Sequence, residues 1–114
     1  MAIVFGTGTQ VTFTFSDPVP LAQWQPPARA GVYAILVPND AVRPRPFSVI
    51  YFGQAHNYSE RGFPNQHHKS FAWITTAQGK PLHVATYDMP GSSEEQRCAV
   101  ESALCSHYNP CCNG

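Results

Sequence analysis

Ala30 to Val37 reads Ala-Gly-Val-Tyr-Ala-Ile-Leu-Val, an apolar run with no polar alternation. Successive side chains of a strand point to opposite faces, so a half-exposed strand alternates apolar with polar residues. A run that is apolar at nearly every position needs cover on both faces. The chain is thereby held to a layered fold with this strand at its centre. A length of 114 residues suits one such core and leaves little room for a second.

A second apolar run, Phe47 to Phe52, stops at Gly53, and the connection between the runs holds Pro38, Asn39, Asp40, Pro44 and Pro46. That long, stiff link suits an antiparallel pair. Val11 to Phe15 alternates apolar and hydroxyl side chains as a half-buried strand does, and Leu82 to Tyr87 reads as a third central strand ended by Pro90-Gly91.

Asn57-Tyr58-Ser59-Glu60 has the form of a capping box, which predicts a helix starting near Tyr58 with Arg61 in its first turn. Gly62 and Pro64 stop it, so His67 to Ile74 forms a separate segment. Ser92-Ser93-Glu94-Glu95 supplies a Ser-x-x-Glu cap for a helix that carries Val100, Ala103 and Leu104 at helical spacing to about His107, where Asn109-Pro110 ends it. The expected fold is α/β (α+β), a small antiparallel central sheet flanked by helices. Residues 1–27 form an N-terminal strand and Pro-rich lead, with Leu21 and Trp24 packing on the domain of residues 28–114.

Seven Lys plus Arg balance seven Asp plus Glu, so no global positive field draws in a polyanion. Tight non-specific nucleic-acid binding is disfavoured, although Arg43, Arg45, Arg61, His67, His68 and Lys69 could form a local patch. No run has the length of a membrane span and the first residues lack the flank of a secretory signal, so the expected compartment is the cytoplasm with no membrane partner. Cys98, Cys105, Cys111 and Cys112 crowd the C-terminal end and read as reduced thiols. With His67-His68 they invite a zinc site, but the close Cys-x₂₋₄-Cys pairs that zinc sites favour are missing.

Two tripeptides stand out on the paired strands, Gly31-Val32-Tyr33 and Tyr51-Phe52-Gly53. Arg61 follows Tyr51 by ten residues at a predicted helix start, Glu101 lies midway along the later helix, and Asn113 follows Glu101 by twelve. In this order the chain resembles the GIY-YIG nuclease family over about Ala28 to Asn113, each tripeptide differing at its central apolar position. The resemblance implies a metal-dependent endonuclease that hydrolyses phosphodiester bonds of nucleic acid, DNA being the family's usual substrate. It implies Mg²⁺ or Mn²⁺ at Glu101, catalytic roles for Tyr33, Tyr51, Arg61, His68, Glu101 and Asn113, and substrate contacts from Gly53, Gln54, His67 and Lys69. The family often places a His or Tyr one turn after its arginine; here Asn65 stands there, and His67 or His68 is the nearest imidazole.

The residue types suit that chemistry. Hydrolysis needs a nucleophilic water, a cation for the departing oxygen and positive charge on the phosphoryl group. Tyr33 can hold the water, and acts as base only if its pKa falls from about 10. Arg61 offers a planar donor fork to phosphate oxygens. A lone Glu101 suits Mg²⁺, which keeps several waters beside one carboxylate. Each residue taken singly has a plainer role: packed tyrosines, an Arg61 ion pair with Glu60 or Glu94, a Glu101 pair with Arg97. The rival function is a catalytically weak or inactive binding or adaptor module acting through a partner, and a homodimer or a separate DNA-targeting partner is left open.

Overall fold

A computed structural model of the chain describes residues 3–6, 11–41, 46–60, 70–110 and 112–113. Strand β4 (Gly31–Pro38) is the centre expected from its composition. It lies between β5 (Phe47–Ala55) and β6 (His83–Asp88), antiparallel to both, and β3 (Val19–Pro20) extends the sheet beyond β6. The order β3-β6-β4-β5 leaves β5 at one edge.

Both faces of β4 are covered by separate apolar layers. Tyr33, Ile35 and Val37 point into one with Tyr51, Tyr58 and Trp73, the last carried by α1 (Ser70–Ala77). Val32, Ala34 and Leu36 point into the other with Phe52 and Leu104, the last on α2 (Glu94–Tyr108). This is why the run tolerates no polar alternation. Pairing runs Tyr33 to Gly53 and Ile35 to Tyr51, then jumps to Leu36 with Val49. The extra residue, Ile50, makes a bulge that lets Ile50 and Tyr51, adjacent in sequence, pack into the same layer.

The N-terminal lead is more regular than its prolines imply. Strand β1 (Ile3–Gly6), not foreseen in the sequence, pairs antiparallel with β2 (Thr12–Phe15). Phe5 and Phe15 meet Phe52 at ring-centroid distances of 5.3 and 6.2 Å, so this hairpin shares the α2-side layer. Leu21 packs in the opposite layer with Trp24 against it.

Several boundaries depart from expectation. At Tyr58 the described residues form a 3₁₀ turn, Tyr58–Glu60. Asn57 Oδ1 accepts from Ser59 N (3.0 Å) and Ser59 Oγ (2.6 Å), while the Glu60 carboxylate meets His56 Nε2 at 2.7 Å instead of completing a capping box. A helical start at Arg61 lies outside the described residues. The α2 cap is Ser93, whose Oγ accepts from Gln96 N (3.1 Å) while Gln96 Oε1 accepts from Ser93 N (2.9 Å). Ser92 fails as cap because it closes the preceding turn, donating to Met89 O at 3.1 Å. Asn109 ends α2 in the left-handed region at φ 49°, its N–H bonded to Cys105 O. The third strand is displaced by one residue, to His83–Asp88. Among the described residues no helix is long and apolar enough to cross a membrane.

Candidate functional site

The two glycines of the tripeptides are required by close approach. A Cβ on Gly53 would overlap the hydroxyl and ring of Tyr33, its cross-strand partner. Tyr33 therefore lies across the bare backbone of β5, and its hydroxyl reaches from the central strand to the edge strand. At Gly31 a Cβ would overlap the Tyr58 hydroxyl and the carbonyl of Tyr87. Glycine at each position lets a phenol rest where a side chain would stand.

Three phenols gather on this face. Tyr33 and Tyr51 have ring centroids 6.0 Å apart, and Tyr58 meets Tyr33 edge-on at 6.5 Å. Trp73 closes over Tyr51 at 5.3 Å. Tyr33 is 0 % exposed and Tyr51 7 %, so both are core residues whatever else they do. The Tyr58 hydroxyl points at the carbonyls of Val32 and Tyr87, each 3.4 Å away. Burial first, and the nearby Asp88 carboxylate second, push its pKa well above the ordinary phenol value, with Arg29 and Arg97 opposing. Tyr58 thus stays a neutral donor. Arg29 in turn pairs with Asp88 at 3.2 Å.

Glu101 approaches from the other layer. The α2 residues Val100, Leu104, Cys105 and Tyr108 pack with Val32, Ala34 and Phe52, on the opposite sheet face from the phenols. Glu101 is half-buried, one turn after Arg97 and one turn before Cys105 on the same side of the helix. Burial, with the Glu101 carboxylate second, pushes the Cys105 thiol up to about 11.

Asn113 acts at the β5 edge. Its Oδ1 accepts from Phe52 N at 2.8 Å and its Nδ2 donates to Phe52 O at 2.7 Å, while Cys112 N donates to Ile50 O at 2.9 Å. Cys112 and Asn113 therefore bond along the outer edge of β5, the Asn113 side-chain amide standing in for a main-chain partner of Phe52 in the Tyr51-Phe52-Gly53 tripeptide. It is a positioning residue here. Gln54, expected at the substrate, has its Oε1 engaged by Arg97 Nε at 2.9 Å.

Arg61, His67, His68 and Lys69 lie outside the described residues. The structure brings together Tyr33, Tyr51 and Gly53, sets Asn113 on the same edge strand beside Cys112 of the phenol-side layer, and carries Glu101 on α2, which packs on the far layer. Sequence reasoning missed Tyr58 and Arg97. Arg97 was weighed only as a partner of Glu101, yet it bonds Gln54 and donates from Nη1 to Ser92 O (2.7 Å) and Ser92 Oγ (3.1 Å). Its signal was weak: an arginine at a helical position that must be inward for Leu104 to be inward.

Among the described residues no three His, Cys, Asp or Glu side chains cluster to hold a metal. A single half-buried carboxylate is nonetheless a donor set that fits Mg²⁺, whose remaining positions are filled by water and phosphate oxygens. Compared with family models, characterised proteins and solved structures, the chain matches none.

Proposed function

We propose that this chain is a GIY-YIG-type nuclease domain that hydrolyses phosphodiester bonds of nucleic acid with a divalent cation at Glu101. The observation that supports the reading most directly is the apposition of Tyr33 and Gly53. The last residue of the first tripeptide lies on the last residue of the second, which gives a physical reason for both residue types and for their pairing on adjacent strands.

In this reading the Tyr33 hydroxyl, carried to the sheet edge, orients the attacking water and takes up its proton only as its own phenolic proton passes on to a second acceptor such as the His68 imidazole. Tyr51, its ring neighbour, holds Tyr33 in place and shares the water or a phosphate oxygen. Arg61 supplies the donor fork to the phosphoryl oxygens, His68 carries a proton, and His67 and Lys69 contact the substrate. Mg²⁺ or Mn²⁺, when bound, offsets negative charge on the departing oxygen. The Glu101 carboxylate holds that ion, and Asn113 keeps the neighbouring edge strand in register. The expected substrate is DNA, and the expected compartment the cytoplasm.

One observation favours the adaptor reading. A fully buried Tyr33 is what packing alone would produce. Titrating Mg²⁺ and Mn²⁺ against plasmid, short DNA and short RNA, with wild type, Glu101→Ala and Arg61→Ala side by side, separates the two. Metal-dependent cleavage lost in Glu101→Ala and reduced about 10²- to 10³-fold in Arg61→Ala supports the nuclease. Cleavage that survives both substitutions belongs to a contaminant, and no cleavage by the wild type leaves the adaptor.

A further inference from the structure

We propose that Arg97 forms the floor of a phosphate subsite, receiving an oxygen of a phosphodiester that flanks the one cleaved. The site is a cavity of about 400 Å³ between the end of β5, the Tyr58–Glu60 turn and the start of α2, lined by Gln54, His56, Asn57, Glu60, Glu94 and Arg97. The identity of the phosphate as part of a nucleic acid rests on the nuclease reading; the subsite itself does not.

Arg97 is only 5 % exposed and is the one charged side chain buried among the described residues. Its bonds run from Nε to Gln54 Oε1 and from Nη1 to Ser92 O and Oγ, all neutral acceptors. Among the described residues no carboxylate forms an ion pair with it. This buried guanidinium is hydrogen-bonded among the described residues to neutral groups and its charge is not directly paired, which is costly, and an anionic occupant removes that cost. The neutral acceptors fix the plane of the fork without cancelling its charge, and Nη2 takes part in none of those bonds. That leaves the two Nη2 donors for a single phosphate oxygen, a charge-assisted bond and not a two-nitrogen clamp.

The rim argues for a singly charged group. Glu60 is held by His56 at 2.7 Å, and Glu94 is exposed. Exposed carboxylates act through water and weigh less than a buried cation, so one phosphodiester charge is accepted and a polyphosphate is disfavoured. Arg97 stands one helical turn before Glu101, which puts the subsite beside the proposed metal carboxylate.

The test titrates inorganic phosphate into the full chain without divalent metal, against chloride at matched ionic strength. Proton–nitrogen correlation spectra follow the Arg97 Nε–H and the Gln54 side-chain amide. Saturable shifts at both are expected, several-fold weaker in Arg97→Lys and about two- to fivefold tighter in Glu94→Gln, where an exposed like charge is removed. Should Arg97→Lys fail to fold, the exposed Glu94→Gln decides alone. Shifts that are absent, fail to saturate, or weaken in Glu94→Gln overturn the subsite. Cleavage is assayed separately: phosphate binding without any cleavage leaves the subsite standing and removes the nuclease, and cleavage without phosphate binding does the reverse.

Discussion

At the scale of single residues, the tightest constraint is the contact of Tyr33 with Gly53. Gly53→Ala places a methyl group where the buried phenol lies, so the ring must shift within the core. Overpacking of this kind costs about 1–3 kcal/mol, and under the proposed nuclease reading the cleavage rate should fall with it. Gly79→Ala is the control, since a Cβ there meets nothing within 4 Å and only the φ of +87° opposes it, at about 1–2 kcal/mol. Urea denaturation of both variants measures these costs; at equal m-values, a Gly53→Ala midpoint unchanged from wild type would refute the close approach. Tyr33→Phe keeps the ring and removes the hydroxyl. Under the proposed nuclease reading it should abolish cleavage while changing stability by about 1 kcal/mol or less.

Cys105 carries a pH dependence of known sign. Its thiol is raised from 9.0 to about 11 in the folded chain, so between those values the unfolded chain has lost the proton and the folded chain keeps it. The folded state binds more protons there, and stability falls as pH rises through that window. Tyr58, also raised, adds a loss of the same sign above pH 10. Denaturation midpoints measured from pH 8 upward should decline for the wild type and decline less for Cys105→Ala. A slope unchanged by that substitution would show that burial does not hold the Cys105 proton.

At the scale of elements, α2 depends on its cap and β5 on the C-terminal segment. Ser93→Ala removes the acceptor for Gln96 N and should lower stability by about 1 kcal/mol, whereas Ser92→Ala leaves the cap intact and removes an acceptor of Arg97 instead. Hydrogen exchange at the Gln96 amide separates the two: exchange accelerated by Ser92→Ala and not by Ser93→Ala would restore Ser92 as the cap. Asn113→Ala removes both partners of the Phe52 main chain, so the Phe52 amide should exchange its hydrogen markedly faster while amides inside β4 stay protected. How much of this was legible follows from what each signal depends on. The α2 helix was readable because capping, spacing and the Asn109-Pro110 stop are local; the choice between Ser92 and Ser93 was not, because it turns on where the Pro90-Gly91 turn closes. The partners at the Tyr58 turn were not legible either, and the rest of the expected helix lies outside the described residues. Asn57 bonds Ser59 as a cap would, but Glu60 has a better partner in His56, whose position the sequence does not show.

For the whole molecule, the lead is part of the core. Ile3, Phe5 and Phe15 belong to the layer between the sheet and α2, and Leu21 to the layer beneath α1. A chain beginning at Ala28 loses apolar groups from both layers and uncovers Phe52, so it should fail to give the dispersed amide spectrum of a folded protein. A well-dispersed spectrum from that fragment would mean that residues 28–114 fold independently. The proposed site also depends on the assembled molecule, because its phenols lie under α1 while Glu101 rides on α2 across the sheet.

What the amino-acid order determined by itself was the sandwich: an all-apolar Ala30 to Val37 demands two covers, and alternation, caps and proline breaks are properties of neighbouring residues. The paired tripeptides were equally visible, since they are strings. Only the tertiary structure decided that the Tyr33 ring lies over Gly53, that Asn113 closes the β5 edge, that Gln54 is held by Arg97, and that Glu101 comes from the far layer. Each of these joins residues distant in the chain, where the partner is chosen by which face and which edge the packed layers leave free.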